Sequence, residues 1–433
     1  MRTIKYQALT TFSLPIETLQ VTTMANFSAL APELVDIICE YLQLCYQKTA
    51  LYNLCLTSRA LKPVAQPYLY RTVNLYNIVP FLRTILENPK LAKRVQNLAA
   101  GHHGDCLSSL QDLSDDSLVE LHQNALEAGV VIQDHSFTTK DKAGIHDLAT
   151  KLTDLLLVKL ENLKELTLHG DYEAAGPFFS TLSKRTATDL SVLPALQKVK
   201  YAHWARYGRD VITNILPILS ISRVTKLHLG DCVDFDLTGL DARFHLKEVY
   251  IRYCMMTSEQ LQQFLEACPG LESFNLENDI YGDDEPSALE IVKALESVKD
   301  TLRSLYLNLS FRGAEQDWDR PHVIESLEAL SNLESLKICY CDLALNTVDE
   351  EDESGPWIDK LPKSLKKLSI MSANASISPG LEEITKVAGL TLPKLELVEV
   401  DGLHYDCTHL EPLFDQVGIG FERLPYARQD LMF

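Results

Sequence analysis

From residue 95 onward, one short pattern keeps returning: an aliphatic residue, two others, an aliphatic, one other, an aliphatic. It reads LKELTL (163–168), LQKVKY (196–201), VTKLHL (224–229), LKEVYI (246–251) and LESFNL (271–276). It continues as LRSLYL (302–307), LESLKI (333–338), LKKLSI (365–370) and LELVEV (395–400), with a weaker copy, VQNLAA, at 95–100. The middle anchors are Leu166, Val199, Leu227, Val249, Phe274, Leu305, Leu336, Leu368 and Val398, spaced 22 to 33 residues apart. Such regularity leaves few architectures open. The last two aliphatics of each copy alternate at period two, which fits one short strand.

Between the copies lie amphipathic helical stretches: TSEQLQQFLEAC (257–268), PSALEIVKALESVK (286–299) and SPGLEEITKVAGL (378–390). Ser258, Ser287 and Ser378 stand where N-caps are expected. One strand and one helix in ~30 residues cannot bury an apolar face alone, so neighbouring units must stack. The expected fold is therefore an α/β solenoid, with parallel strands on one face and helices on the other. A polar insertion with two helices, DDSLVELHQNALEAG (115–129) and IHDLATKLTDLLLVKL (145–160), interrupts the series at about 102–160.

Composition narrows the function. The 433 residues carry a formal charge of −20, from 60 acidic and 40 basic side chains. That excess disfavours a general affinity for nucleic acid or an anionic membrane. The run DEEDES at 349–354 reads as a solvated loop. Ten cysteines are scattered without a CxxC pair, which points to reduced thiols in a cytoplasmic or nuclear setting. No apolar run approaches the ~18–20 residues of a membrane span, and the first 23 residues lack the apolar core of a signal peptide. Met1 and Met24 both remain open as starts.

The repeat resembles the leucine-rich repeat, and its cysteine-containing variety in particular. Cys232 in LHLGDC, Cys254 in VYIRYC and Cys341 in LKICYC stand where that family places its turn-forming Asn or Cys. CPGLESFNL (268–276) also has the family's lead into a strand, while Asp171, Asp279 and Ala373 replace Asn or Cys in other copies. The resemblance implies an irregular arc with strands on its concave face and helices on its convex face. The three cysteines are expected to serve packing rather than metal or redox chemistry.

Ahead of the repeats, LAPELVDIICEYL (30–42) carries Leu34, Ile37, Ile38, Tyr41 and Leu42 at the spacing of one buried helical stripe. Val35 and Cys39 widen that stripe, leaving Glu33, Asp36 and Glu40 as the wet side. A second apolar segment follows at 51–71, with Leu51, Leu54 and Cys55 on one side and Tyr52 and Leu56 beside them. A unit of ~40 residues is near the lower limit for an independent core. One of its apolar surfaces must meet something else.

Residues 28–72 resemble an F-box, of the version common in fungal members. Leu30, Glu33, Leu34, Ile38 and Leu42 match the family's first segment and LYNLCLTSRALKPVAQPYLYR its second. Ala31 stands where proline is usual, with Pro32 one place late, and Leu61 where many members have tryptophan. The resemblance implies that Leu30, Pro32, Glu33, Leu34, Ile38, Leu42, Leu51 and Leu54 bind the Skp-family adaptor of a cullin-based ubiquitin ligase. The expected organisation is an N-terminal extension (1–27), an F-box-like domain (28–72), a solenoid (73–403) and a C-terminal cap or tail (404–433).

Residues between and just after the strand anchors face away from the core. They include Lys226 and His228, then Glu248, Tyr250 and Arg252, then Asn275 and Glu277. Tyr306, Asn308, Lys337, Glu399 and Asp401 complete the candidate substrate-binding set. About ten strands at ~4.8 Å give a face on the order of 45 Å long, suited to a protein. Tyr250, Arg252 and Tyr306 are the candidate hot spots. The function expected is substrate receptor of a Skp-cullin-F-box ubiquitin ligase. The alternative is a repeat scaffold whose F-box-like helices only cap its N-terminus. No catalytic residue, cofactor or metal is expected. His102, His103, Asp105 and Cys106 form the densest polar cluster, but no further ligand or triad partner stands at a recognisable spacing. Nucleotide-loop, zincin and nucleophile-elbow motifs do not occur.

Overall fold

A computed structural model of the chain describes residues 30–45, 47–75, 77–101, 110, 113–127, 142–170, 193–203, 215–219, 223–232, 243–277, 286–309, 324–339, 342, 357–371, 377–401 and 408–424. The chain divides into two compact units, Met1–Tyr70 and Arg71–Phe433.

The first unit is helical. α1 (Pro32–Leu44) begins with proline at its first position, where the missing N–H costs nothing and φ is already helical. α2 (Lys48–Thr57) and α3 (Lys62–Arg71) follow. Val35 and Cys39 from α1, Leu51 from α2, and Leu61 and Ala65 at α3 form a small core, flanked by Leu30, Leu42, Leu54, Cys55, Val64, Tyr68 and Leu69. Leu61 is itself buried in this core.

Among the described residues of the second unit, twelve strands form one sheet in strict chain order, and every pairing is parallel. They are β1 (Thr72–Leu75), β2 (Asn97–Gly101), β3 (Glu165–Gly170), β4 (Lys198–His203), β5 (Lys226–Gly230) and β6 (Glu248–Arg252). β7 (Ser273–Glu277), β8 (Ser304–Asn308), β9 (Ser335–Cys339), β10 (Lys367–Met371), β11 (Leu397–Asp401) and β12 (Gly420–Leu424) complete the sheet. This is the leucine-rich-repeat solenoid. The register is one unbroken row: Leu98, Leu166, Val199, Leu227, Val249, Phe274, Leu305, Leu336, Leu368 and Val398 align as neighbours.

A second row of bonds reinforces that register. Just before each strand from β2 to β10, a backbone carbonyl accepts from two successive N–H groups of the next repeat. Lys164 O takes Gln197 and Lys198 at 2.9 and 3.0 Å, and Lys247 O takes Glu272 and Ser273 at 2.9 and 2.8 Å. The same arrangement recurs to Lys366 O with Glu396 and Leu397. The anchors are buried on one side of the sheet against α4 (Ile78–Glu87), α6 (Asp115–Glu127), α7 (Lys142–Lys159), α9 (Ser258–Glu266), α10 (Ala288–Leu295), α11 (Ser378–Thr391) and α12 (Glu411–Val417). The short helices α5 (Pro89–Ala92) and α8 (Leu216–Leu219) lie between β1 and β2 and between β4 and β5. α7 belongs to the insertion, yet Leu152, Leu155, Leu156 and Leu157 are fully buried in the common core.

Two cap expectations shift by one residue. Thr257, not Ser258, caps α9: its hydroxyl accepts from Gln260 N–H, and the Gln260 side chain returns to Thr257 N–H. Ser287 caps α10 with the same reciprocal bond to Glu290, as expected. α11 is preceded by Ile377 without a side-chain cap; the Ser378 hydroxyl lies 3.3 Å from His409 Nε2 instead.

Two strands escaped the sequence pattern. β1 pairs Val73 and Leu75 with Leu98 and Ala100, but Tyr70 stands where its first aliphatic anchor is due. β12 aligns Phe421 with Val398 and Arg423 with Val400. The arginine erases the pattern, and the strand is mostly exposed. The segment 404–433 therefore contains a further repeat: Phe414 of α12 stacks on Phe421 with centroids 4.9 Å apart.

Cys232 and Cys254 are buried, and each thiol donates to a carbonyl two residues earlier, Gly230 O and Arg252 O, at 3.3 Å. Cys254 Sγ also accepts from Cys232 N–H at 3.4 Å. The residue before each, Asp231 and Tyr253, has φ of 53°. The sulfur thus closes the turn at the strand exit. Cys341, Asp171, Asp279, Ala373, the 349–354 acidic run, the His102–Cys106 cluster and residues 1–27 lie outside the described residues.

Candidate interaction surfaces

In the first unit, α1 carries two apolar stripes, not one wide one. Val35 and Cys39 point inward, with Leu42 partly buried beside them. Leu34, Ile37, Tyr41 and Leu44 recur at i, i+3, i+7 and i+10 and are 50%, 62%, 65% and 71% exposed. The stripe expected to be buried from the sequence therefore splits. Seven apolar positions span more than one face of a helix, and a core this small covers only one. Tyr52 and Leu56 of α2 are also exposed, while Glu33, Asp36 and Glu40 form a wet acidic edge on α1. Asp36 accepts from the Tyr68 hydroxyl, and burial followed by that bond pushes the phenol up to about 12.

The eight residues assigned to adaptor binding are thus divided. Pro32, Glu33 and Leu34 are exposed and Ile38 is half-buried. Leu30, Leu42 and Leu54 pack against the small core, and Leu51 lies within it at 1% exposure. Ile37, Tyr41 and Leu44, absent from that set, are the most exposed apolar residues of α1. The signal that finds them is their angular separation from Val35 and Cys39.

In the second unit, the face of the sheet opposite the core carries every residue expected there. Its middle row aligns Lys200, His228, Tyr250, Asn275, Tyr306 and Lys337, one per strand from β4 to β9. Ser369 and Glu399 extend the row. Lys226 and Glu248 are paired in the row before it, and Arg252, Glu277 and Asn308 neighbour one another in the row after it. Asp401 lies on β11 beside Leu424 of β12.

The aromatic centre is held by a carboxylate. Glu277, 5% exposed, accepts from Tyr250 OH at 2.6 Å and Tyr253 OH at 3.2 Å, with Arg252 Nε at 3.5 Å. Arg252 donates to Tyr253 OH at 3.1 Å and lies 4.5 Å from its ring centroid. Burial, then the bond to Glu277, raises the Tyr250 phenol well above its usual range. Burial and Glu277 do the same for Tyr306, and Lys337 Nζ stands 5.0 Å from the Tyr306 centroid. The His228 and Tyr250 rings are 5.5 Å apart. Tyr250 and Tyr253 are thus tied to Glu277 before any partner arrives.

Toward β4 the face becomes basic. Lys198 and Lys226 neighbour each other in one row, Lys200 and His228 in the next. Lys200 pairs with Glu165 at 2.8 Å, and Lys226 pairs with Glu248. The Lys198 ammonium has no hydrogen bond or ion pair among the described residues, and burial followed by the Lys200 charge lowers its pKa. His228 is pushed down to about 4 by burial and then by Lys198 and Lys200. At Glu248 burial raises the pKa, but the bond and charge of Lys226, with His228 and Lys198, outweigh it and hold the carboxyl low. Lys198 and Lys200 were not singled out in the sequence; the alternation rule applied to LQKVKY finds both. Toward the other end, Glu399 pairs with Lys367 and accepts from Ser369 at 2.6 Å.

Among the described residues, no group of three or more His, Cys, Asp or Glu is placed to hold a metal, and no helix is long and apolar enough to cross a membrane. The seven described cysteines are free thiols. No protein-family model matches the chain, and no curated protein matches it in sequence. Among solved structures, the chain is similar to an internalin (inlF) from Listeria monocytogenes, at 11% identity and a TM-score of 0.29, over 63% of this chain and 78% of that one.

Proposed function

We propose that this chain is a protein-binding adaptor with two surfaces, the substrate receptor of a Skp-cullin-F-box ubiquitin ligase. The observation that carries the reading is the outward stripe Leu34, Ile37, Tyr41 and Leu44 on α1. A ~40-residue helical unit has little apolar surface to spare, and a soluble surface seldom leaves a helical stripe of large apolar residues without a partner. With the F-box resemblance of residues 28–72, the partner proposed for it is the Skp-family adaptor, and through the adaptor a cullin. The open sheet face, with Tyr250 tied to Glu277 and Tyr306 two strands further on, takes the protein target. Twelve strands at ~4.8 Å offer a face about 50 Å long. The chain performs no bond chemistry in this reading; holding target and ligase together raises their effective concentration.

Size-exclusion chromatography of the full chain mixed with purified Skp-family adaptor and cullin tests the proposal. Co-elution is expected for the wild type. Ile37→Asp with Tyr41→Asp, both on the exposed stripe, abolishes it while the circular dichroism spectrum stays unchanged. Failure of the wild type to co-elute, or co-elution of a folded double variant, refutes the reading.

A further inference from the structure

We infer that the basic square on β4 and β5 is the docking point for an acidic side chain, Asp or Glu, of an extended protein segment lying across the open face. This rests on the reading of that face as a protein-binding surface and goes beyond it by naming what is recognised.

Charge complementarity carries the argument. Lys198, Lys200, Lys226 and His228 occupy four adjacent positions, two on each of two neighbouring strands. Two carboxylates flank them, Glu165 on one side and Glu248 on the other, each pairing with one lysine. Three ammoniums against two carboxylates leave one positive charge uncompensated, and it sits on a chain whose formal charge is −20. The surplus belongs to Lys198, which has no ion pair among the described residues and is partly withdrawn from water. Beside it, His228 Nε2 is buried without a hydrogen-bond partner among the described residues; the nearest carboxylate oxygen, of Glu248, is 3.8 Å away. A partly desolvated cation and an orphaned ring nitrogen side by side are a costly arrangement in a free protein. One incoming carboxylate satisfies Lys198 and neutralises the square. Tyr250, next to His228 in the same row, then supplies an aromatic surface for an apolar neighbour in the segment.

The charge balance also separates the occupants. A singly charged carboxylate matches one surplus charge. A dianionic phosphate matches it only if His228 takes up a proton, against the groups that face it: Lys198 and Lys200 from β4, with Glu165, Glu248 and Tyr250 around them.

The test is selection of a phage-displayed library of random 12-residue peptides on the full chain. The proposal expects recovered peptides enriched in Asp or Glu. Their binding is expected to fall about tenfold or more in Lys198→Gln with Lys200→Gln, to be largely restored by Lys→Arg at both positions, and to weaken with salt. Binding of the Skp-family adaptor serves as the control and stays unchanged in both variants. Peptides without acidic enrichment, or with affinity indifferent to the lysines, overturn the inference while leaving the face as a binding surface. Recovery of no peptide at all overturns both, yet leaves the adaptor reading to its own test. A phosphoserine in place of the acidic residue that binds more than about tenfold tighter at neutral pH reassigns the square to phosphate and overturns the inference as well.

Discussion

The carboxylate of Glu277 is expected to be the main fixture of the aromatic centre, and a double-mutant cycle with Tyr250 measures it. Tyr250→Phe removes a 2.6 Å hydrogen bond to a carboxylate that is only 5% exposed. A bond to a buried charged acceptor contributes about 1.5–3 kcal/mol, so a loss near 2 kcal/mol is expected. Glu277→Gln weakens two tyrosine bonds and takes the counter-charge from Arg252, whose side chain is 15% exposed. Breaking a buried pair costs about 3–5 kcal/mol, and the remaining exposure of Arg252 puts the expected loss near the lower end. In the Gln background the tyrosine bond is neutral, worth about 1 kcal/mol, so the cycle should return a coupling of about 1–2 kcal/mol. Urea unfolding of the four proteins, followed by circular dichroism at pH 7.5, gives the value. Additive losses, with coupling below about 0.3 kcal/mol, refute the claim that Glu277 holds Tyr250.

Three further outcomes are expected. His228 refuses a proton in the folded chain down to about 4, whereas the unfolded chain accepts one near 6.5; between those values the unfolded state binds more protons. Stability is therefore fully present above about pH 6.5 and falls as pH drops toward 4, by up to ~3 kcal/mol. His228→Gln should flatten that part of the urea-midpoint profile, and a profile unchanged from wild type contradicts the assignment. Two glycines of α11 should respond with opposite signs. At Gly389 nothing lies within 4 Å of an added Cβ, so Gly389→Ala stabilises by up to about 1 kcal/mol. At Gly380 a Cβ runs into the Trp357 indole, so Gly380→Ala lowers the unfolding midpoint and shifts tryptophan fluorescence. Thr257→Ala removes the hydroxyl that accepts from Gln260 N–H in the α9 capping box and should cost about 1 kcal/mol in the same assay, with no loss counting against that cap.

The repeat was legible because each copy needs two inward aliphatics at period two, and the observed register joins every anchor read from the sequence into one row. The end strands were hidden where burial relaxes: Arg423 takes an anchor position on β12, which is mostly exposed and has no neighbour beyond it among the described residues. The open face was legible by the same alternation. Its chemistry was not, because the grip of Glu277 on Tyr250 and Tyr253 depends on neighbours 27 and 24 residues away. On α1, periodicity located the apolar residues but not their side. Leu34 and Val35 are adjacent and equally hydrophobic, and the small core decides which is buried.

Isothermal titration of the purified Skp-family adaptor into the full chain, repeated at several temperatures, tests the central claim most directly. Saturable one-to-one binding with a negative heat-capacity change is expected, because the stripe of Leu34, Ile37, Tyr41 and Leu44 leaves water on binding. The folded Ile37→Asp, Tyr41→Asp variant is expected to give no heat of binding. A wild-type chain that takes up no adaptor, or a double variant that binds as tightly as wild type, contradicts the adaptor reading.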